Sequence, residues 1–114
     1  MRKTIDIAGN IHRIEWLKSE LLSALSDLYR VLLDTKETTK DKIVDCISSM
    51  VLACYLLARR LGVSYEAVDQ GIRDRVKLGL LEEPDIETRF GDLTQLHDHM
   101  RESRMAPLAR EGSR

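Results

Sequence analysis

Aromatic side chains are nearly missing from this 114-residue chain: they make up 4% of it, as one Trp, one Phe and three Tyr. Strand cores draw on β-branched and aromatic residues in alternation with polar ones, and no segment here alternates convincingly at period two. A sheet architecture is thereby excluded. Proline and glycine are also scarce, at two and six residues, so long stretches run without the residues that break helices. The two cysteines, Cys46 and Cys54, lie on one expected helix. Their separation is about 12 Å along its axis, too far for an intrachain disulfide, and a reduced, cytoplasmic setting is expected. Excess charge of either sign is absent, the formal net charge being -1. No overall basic field therefore draws the protein to nucleic acid or an anionic membrane, and partners must be recognised locally. The amino terminus lacks the apolar stretch and small-residue cleavage site of a signal peptide. The apolar run from Ile43 to Ala58 falls short of the roughly 20 residues of a membrane span, contains Asp45 and ends in Arg59 and Arg60, so it reads as a buried helix and no membrane partner is expected.

What is present is apolar periodicity of the helical kind. Ile11, Ile14, Leu17, Leu21, Leu25, Leu28 and Leu32 recur at three- and four-residue steps, predicting a first helix capped by Asn10 and running to about Leu33. The polar stretch Asp34 to Thr39 reads as a connection, with Thr38 or Thr39 capping a second helix from about Lys40 to Leu61. Gly62 stands where a left-handed carboxyl-terminal cap belongs, and Ser64 is placed to cap a third helix with Glu66 at its positive end. Tyr65, Val68, Ile72 and Val76 form the stripe of that helix, Gly71 is expected to allow close approach of a neighbour, and Pro84 ends the region. A last helix is expected from Asp92, or from an earlier start near Ile86, with Leu93, Leu96 and Met100 as its stripe. The reading is an all-α bundle of about four helices, one domain over residues 1–103 with a flexible tail over 104–114. A domain of this size gains further burial by self-association through its long helices, as a homodimer or higher oligomer.

Asp45 is the residue that raises the question of function. A helix apolar on nearly every side belongs in a core or an interface, where a carboxylate is costly unless it is paired, hydrogen-bonded or metal-bound. Downstream, Ala58 to Ile72 has the look of a helix-turn-helix: a helix, a Gly-containing turn, a Ser cap and a helix with Ala, Val and Ile at core spacing. As a DNA reader it would place Tyr65, Glu66, Asp69, Gln70 and Arg73 in the major groove. Two of those five are carboxylates, and the clustered basic surface that supplies nonspecific affinity is missing, which argues against DNA.

Three stretches taken in order carry another likeness: Asn-Ile-His-Arg-Ile-Glu-Trp-Leu-Lys-Ser-Glu-Leu-Leu from Asn10 to Leu22; Asp45 in its apolar helix, continued by Tyr-Leu-Leu-Ala-Arg-Arg-Leu-Gly-Val-Ser from Tyr55 to Ser64; and Arg-Phe-Gly-Asp-Leu from Arg89 to Leu93. Together, over roughly residues 6–100, they resemble the MazG-like proteins of the all-helical nucleoside triphosphate pyrophosphohydrolase superfamily. The resemblance implies conversion of a nucleoside triphosphate to monophosphate and pyrophosphate, with Mg²⁺ as cofactor and sites near helix and subunit interfaces. Active members carry Glu-Glu-x-x-Glu on one helix and Glu-x-x-Asp on the next, because Mg²⁺ takes oxygen ligands and bridges carboxylates to phosphate.

Laid onto this chain, the first motif falls on Ser19-Glu20-Leu21-Leu22-Ser23 and the second on Lys42-Ile43-Val44-Asp45. Only Glu20 and Asp45 match. Asp41, one turn before Asp45 on the same helical face, is a substitute third ligand, or else an amino-terminal charge favourable to the helix dipole. Lys42 offers an alternative to the metal, an ammonium paired with Glu20 or Asp45. Arg73 and Lys77, one turn apart on the third helix, are the expected phosphate contacts. His97 and His99 are two apart, point about 200° away from one another and do not share a metal. Trp16 is expected to pack at an interface, with base stacking as its other use. The functional expectation is therefore a divergent pyrophosphohydrolase-like protein that hydrolyses or only binds nucleotide. The alternatives are a DNA-binding module and a catalytically inactive interaction protein.

Overall fold

The computed structural model describes residues 7–33, 39–82 and 91–105. Within them the chain forms α1 (Ile7–Leu33), α2 (Thr39–Arg60), α3 (Tyr65–Glu82) and α4 (Asp92–Met105), with no strand among the described residues. The all-α expectation holds. The chain divides into two compact units, Met1–Val68 and Asp69–Arg114, each described by itself. The Thr38 cap, the stop at Pro84, the start near Ile86 and the tail beyond Met105 lie outside the described residues.

In the first unit α1 packs on α2. The side chain of Asn10 donates from Nδ2 to the Arg60 carbonyl at 3.4 Å, placing the start of α1 against the end of α2, so the pair is antiparallel. The seam follows a strict three–four alternation. On α1 Asn10, Ile14, Leu17, Leu21, Ala24, Leu28 and Val31 recur at these steps, and on α2 Ile43, Cys46, Met50, Ala53 and Leu57, all buried or half-buried, with Leu25, Tyr55 and Ala58 half-buried beside them. This period of 3.5 is the one that keeps a seam facing a neighbouring helix. Leu17 at 2% exposure, Ala53 at 4% and Ala24 at 7% form its centre. The small side chains of Ala24 and Ala53 leave room for close approach of the two backbones, and Leu17 supplies bulk between them.

Three expectations are corrected along this hairpin. Asn10 does not cap α1, because the helix begins three residues earlier, at Ile7, and its amide serves the end of α2 instead. Ile11 and Leu32, 54% and 61% exposed, are not core, since each sits one residue, hence about 100°, beyond the seam positions Asn10 and Val31. Nor is α2 buried all round: Val44, Ile47, Val51 and Leu52 are exposed. One partner helix covers one stripe, and the rest of the apolar surface of α2 faces outward.

The turn into α3 matches the expectation atom by atom. Gly62 has φ +85°; its N–H donates to Arg59 O at 3.1 Å and that of Val63 to Ala58 O at 2.8 Å. These are the two bonds of a Schellman cap. Ser64 then caps α3, its Oγ accepting from Ala67 N at 3.0 Å. In the second unit Val76 is buried and Ile72 half-buried, as are Leu93 and Met100, while Leu96 is exposed. The glycine of close approach is Gly79, where a Cβ would meet Leu93 Cδ1 at 2.8 Å, and not Gly71, where a Cβ would meet nothing within 4 Å.

Candidate functional site

Between α1 and α2, on one flank of the seam, a groove opens into two adjoining cavities that share Trp16, Leu17 and Leu56. The first, of about 210 Å³, includes Glu20, Ser23, Asp27, Ser49 and Leu52 in its wall. Helical geometry explains the grouping: Trp16, Glu20, Ser23 and Asp27 recur at four- and three-residue steps, as do Ser49, Leu52 and Leu56, so each set lines one face. The groove therefore carries two carboxylates of α1 and two serine hydroxyls over an apolar floor. Asp27 is in an exposed ion pair with Arg30 at 3.1 Å.

Glu20 thus lies where a groove ligand belongs. Asp45 and Asp41 are exposed on α2, one and two turns beyond Ser49 on the same helical face. Exposure also removes the desolvation cost expected of Asp45 in the single chain. With Asn10 against Arg60, Glu20 comes level with a position near Met50 to Ala53, so Asp45 is displaced from it by roughly 8 Å or more along the axis at 1.5 Å per residue. Carboxylates sharing one Mg²⁺ each approach it to about 2.0–2.1 Å. Glu20, Asp41 and Asp45 are not brought together, and no group of three or more His, Cys, Asp or Glu able to hold a metal exists among the described residues.

The same register brings Asp27 level with Asp45. Asp27 was missed because the motif comparison fixed attention on Ser19 to Ser23. Its signal was available in the spacing, for Glu20 and Asp27 are two helical turns apart on one face. Lys42 is exposed on α2 and makes no ion pair with a described carboxylate, so the expected pairing with Glu20 or Asp45 does not form.

The second cavity, of about 270 Å³, lies where the start of α1 meets the end of α2. Its lining includes Arg13, Trp16, Arg59, Arg60 and Tyr65. Tyr65 stands edge-on to Tyr55, ring centroids 6.1 Å apart at 70°, and the guanidinium carbon of Arg59 lies 5.5 Å from the Tyr65 centroid. Trp16 is 54% exposed and borders both cavities.

Arg73 and Lys77 sit in the second unit, one turn apart on α3. Arg73 donates to Gln70 Oε1 at 2.9 Å, and Gln70 donates in turn to Asp74 Oδ1 at 2.9 Å. Gln70 and Arg73, two of the five side chains that a DNA-reading helix would extend toward bases, are thus engaged along the helix. His97 lies 3.6 Å from the Asp98 carboxylate, and no described helix is long and apolar enough to cross a membrane.

Compared with known families, the chain matches the family described as MazG-like over residues 7–93. No curated protein and no solved structure matches it.

Proposed function

The chain belongs to the MazG-like family, and on that premise we propose that this nucleotide pyrophosphohydrolase-like helical protein takes a nucleoside triphosphate in the groove between α1 and α2. The observation that carries the reading is the placement of Glu20 in that groove, with Ser23, Asp27 and Ser49 as further oxygen donors. Glu20, Asp41 and Asp45 are the proposed Mg²⁺ ligands, in a reduced version of the carboxylate set that the family uses. Conversion to monophosphate and pyrophosphate requires convergence of these carboxylates on one Mg²⁺, a second copy of the chain being one source of further ligands. Without that convergence, the protein binds nucleotide and does not turn it over. Arg73 and Lys77, one turn apart on α3 in the second unit, are proposed phosphate contacts on their charge and spacing, independently of the groove.

Self-association has its own support. Val44, Ile47 and Val51 recur at three- and four-residue steps on α2, and Leu22, Tyr29 and Leu33 at seven- and four-residue steps on α1; all six are more than 40% exposed. Stripes of this kind on paired helices bury against another helical pair, and a homodimer through α1 and α2 is the simplest closed arrangement.

The decisive assay measures pyrophosphate release from a panel of nucleoside triphosphates with and without Mg²⁺, alongside calorimetry of Mg²⁺ binding. Release that depends on Mg²⁺ and is abolished by Glu20→Gln supports an enzyme. Nucleotide binding without release identifies a binding protein. If neither Mg²⁺ nor any nucleotide binds, the nucleotide reading is wrong and an interaction protein remains. A DNA-binding module would shift duplex DNA with a steep salt dependence, and the mutual engagement of Gln70, Arg73 and Asp74 weighs against that outcome.

A further inference from the structure

The arginine-lined cavity belongs to none of the motifs that identify the family. Arg13 comes from the second turn of α1, Arg59 and Arg60 from the last turn of α2, and Tyr65 from the first position of α3. Three arginines thus line one cavity, and no described carboxylate is among its lining residues. Among the described residues, none of the three is in an ion pair. Positive charge at the end of α2 offsets the negative pole of that helix, which accounts for Arg59 or Arg60. It does not account for Arg13, which stands near the amino-terminal, positive end of α1. A concave site lined by three arginines, with no ion pair to a described carboxylate, suits an anion of several charges, and guanidinium is the side chain suited to forked contacts with phosphate.

Two of the walls are rings. Tyr65 is already engaged, edge-on to Tyr55 and under Arg59, so it holds Arg59 in position and limits the rotamer freedom that binding would otherwise remove. Trp16 is the ring left with an open face toward solvent, at 54% exposure. Aromatic faces of this kind stack bases without regard to sequence. A volume of about 270 Å³ lies near the lower edge of the roughly 300–1,000 Å³ usual for small-ligand sites, which fits a ligand whose phosphate tail sits inside and whose ring lies at the mouth.

We propose that this cavity is a metal-independent nucleotide site, in which Arg13, Arg59 and Arg60 bind the phosphate tail and Trp16 stacks the base. The proposal rests on the nucleotide reading above for its choice of ligand, and it relocates charge compensation from a metal ion to three fixed cations. Affinity in the absence of metal should accordingly rise with phosphate number and fall with added salt.

Trp16 is the only tryptophan in the chain and borders both cavities, so its fluorescence reports binding in the groove and the arginine variants assign that binding to this cavity. The test titrates the full-length protein with adenosine, AMP, ADP and ATP in excess EDTA, following Trp16 emission and, in parallel, heat of binding. Expected is saturable quenching that strengthens from AMP to ATP, is weakest for adenosine, and loses tenfold or more in affinity in Arg13→Ala and Arg60→Ala. Lys18→Ala removes the same charge outside the cavity, where Lys18 pairs with Glu15 at 2.9 Å, and should change affinity less than twofold. Circular dichroism of each variant establishes that it remains folded. Binding that is unchanged in both arginine variants overturns this site and leaves the nucleotide reading intact. Binding seen only with Mg²⁺, and lost in Asp45→Asn, overturns the metal-independent site and favours the carboxylates. No binding with or without Mg²⁺ overturns both.

Discussion

Replacing Gly62 and Gly71 by alanine should move stability in opposite directions, although an added Cβ meets no atom within 4 Å at either position. With contacts excluded at both sites, only the backbone distinguishes them. Gly62 has φ +85°, a conformation that costs an L-residue about 1–2 kcal/mol. The two bonds that close the end of α2, from Gly62 N to Arg59 O and from Val63 N to Ala58 O, depend on that conformation. Gly71 is in the interior of α3 with helical geometry, and there alanine restricts the unfolded chain and gains about 0.4–1 kcal/mol. The two variants should therefore differ by roughly 1.5–3 kcal/mol. For a chain of this length 1 kcal/mol corresponds to about 4 °C in Tm, so Gly62→Ala should melt several degrees below wild type and Gly71→Ala a few degrees above it. Thermal and urea unfolding followed by circular dichroism, at one fixed protein concentration because self-association would shift Tm, read the difference directly. Equal stability of Gly62→Ala and wild type would refute the left-handed cap. A loss in Gly71→Ala would mean that a neighbour meets α3 there after all.

Leu17→Ala, at the centre of the seam with 2% exposure, should cost about 2–5 kcal/mol in urea unfolding, and a loss under 1 kcal/mol would show that the seam is not the core. Ser64→Ala removes the acceptor of Ala67 N and should cost about 1 kcal/mol, with Ser64→Asp restoring most of it in the same assay. Val51→Asp, at a position 48% exposed in the single chain, should leave the helical circular dichroism spectrum unchanged and shift the mass measured by light scattering toward the monomer. An unaltered mass places any self-contact elsewhere. Glu15→Gln breaks an ion pair whose partners are both more than half exposed, so its effect on Tm should be near the limit of measurement, below about 0.5 kcal/mol.

Local chemistry was legible in the sequence at the turn between α2 and α3. Gly62 and Ser64 were readable because caps are decided within a few residues, whereas Asn10 does not cap α1, its amide being taken by the Arg60 carbonyl. The face of each helix was readable only to within one residue, and that margin decided whether Ile11 or Asn10, Leu32 or Val31, joined the seam. Gly71 and Gly79 look alike in sequence, and only the position of Leu93 made Gly79 the crowded one. The candidate site was less legible still. Family resemblance identified Glu20 and Asp45, but a motif fixes positions along each helix and not the register between helices. That register sets the two carboxylates apart and brings Asp27 level with Asp45.

The sequence by itself determined that this chain is all helical, where its helices are punctuated, and that it carries the pattern of the MazG-like family. Hydrogen bonds inside a helix and its caps are short-range, so their code is local. It took the packing of the helices to leave Asp45 exposed in the single chain, to put Glu20 and Asp27 in one groove, and to bring Arg13 into one cavity with Arg59 and Arg60, more than forty residues further along the chain. Those juxtapositions arise from the antiparallel packing of α1 on α2, which no single segment encodes.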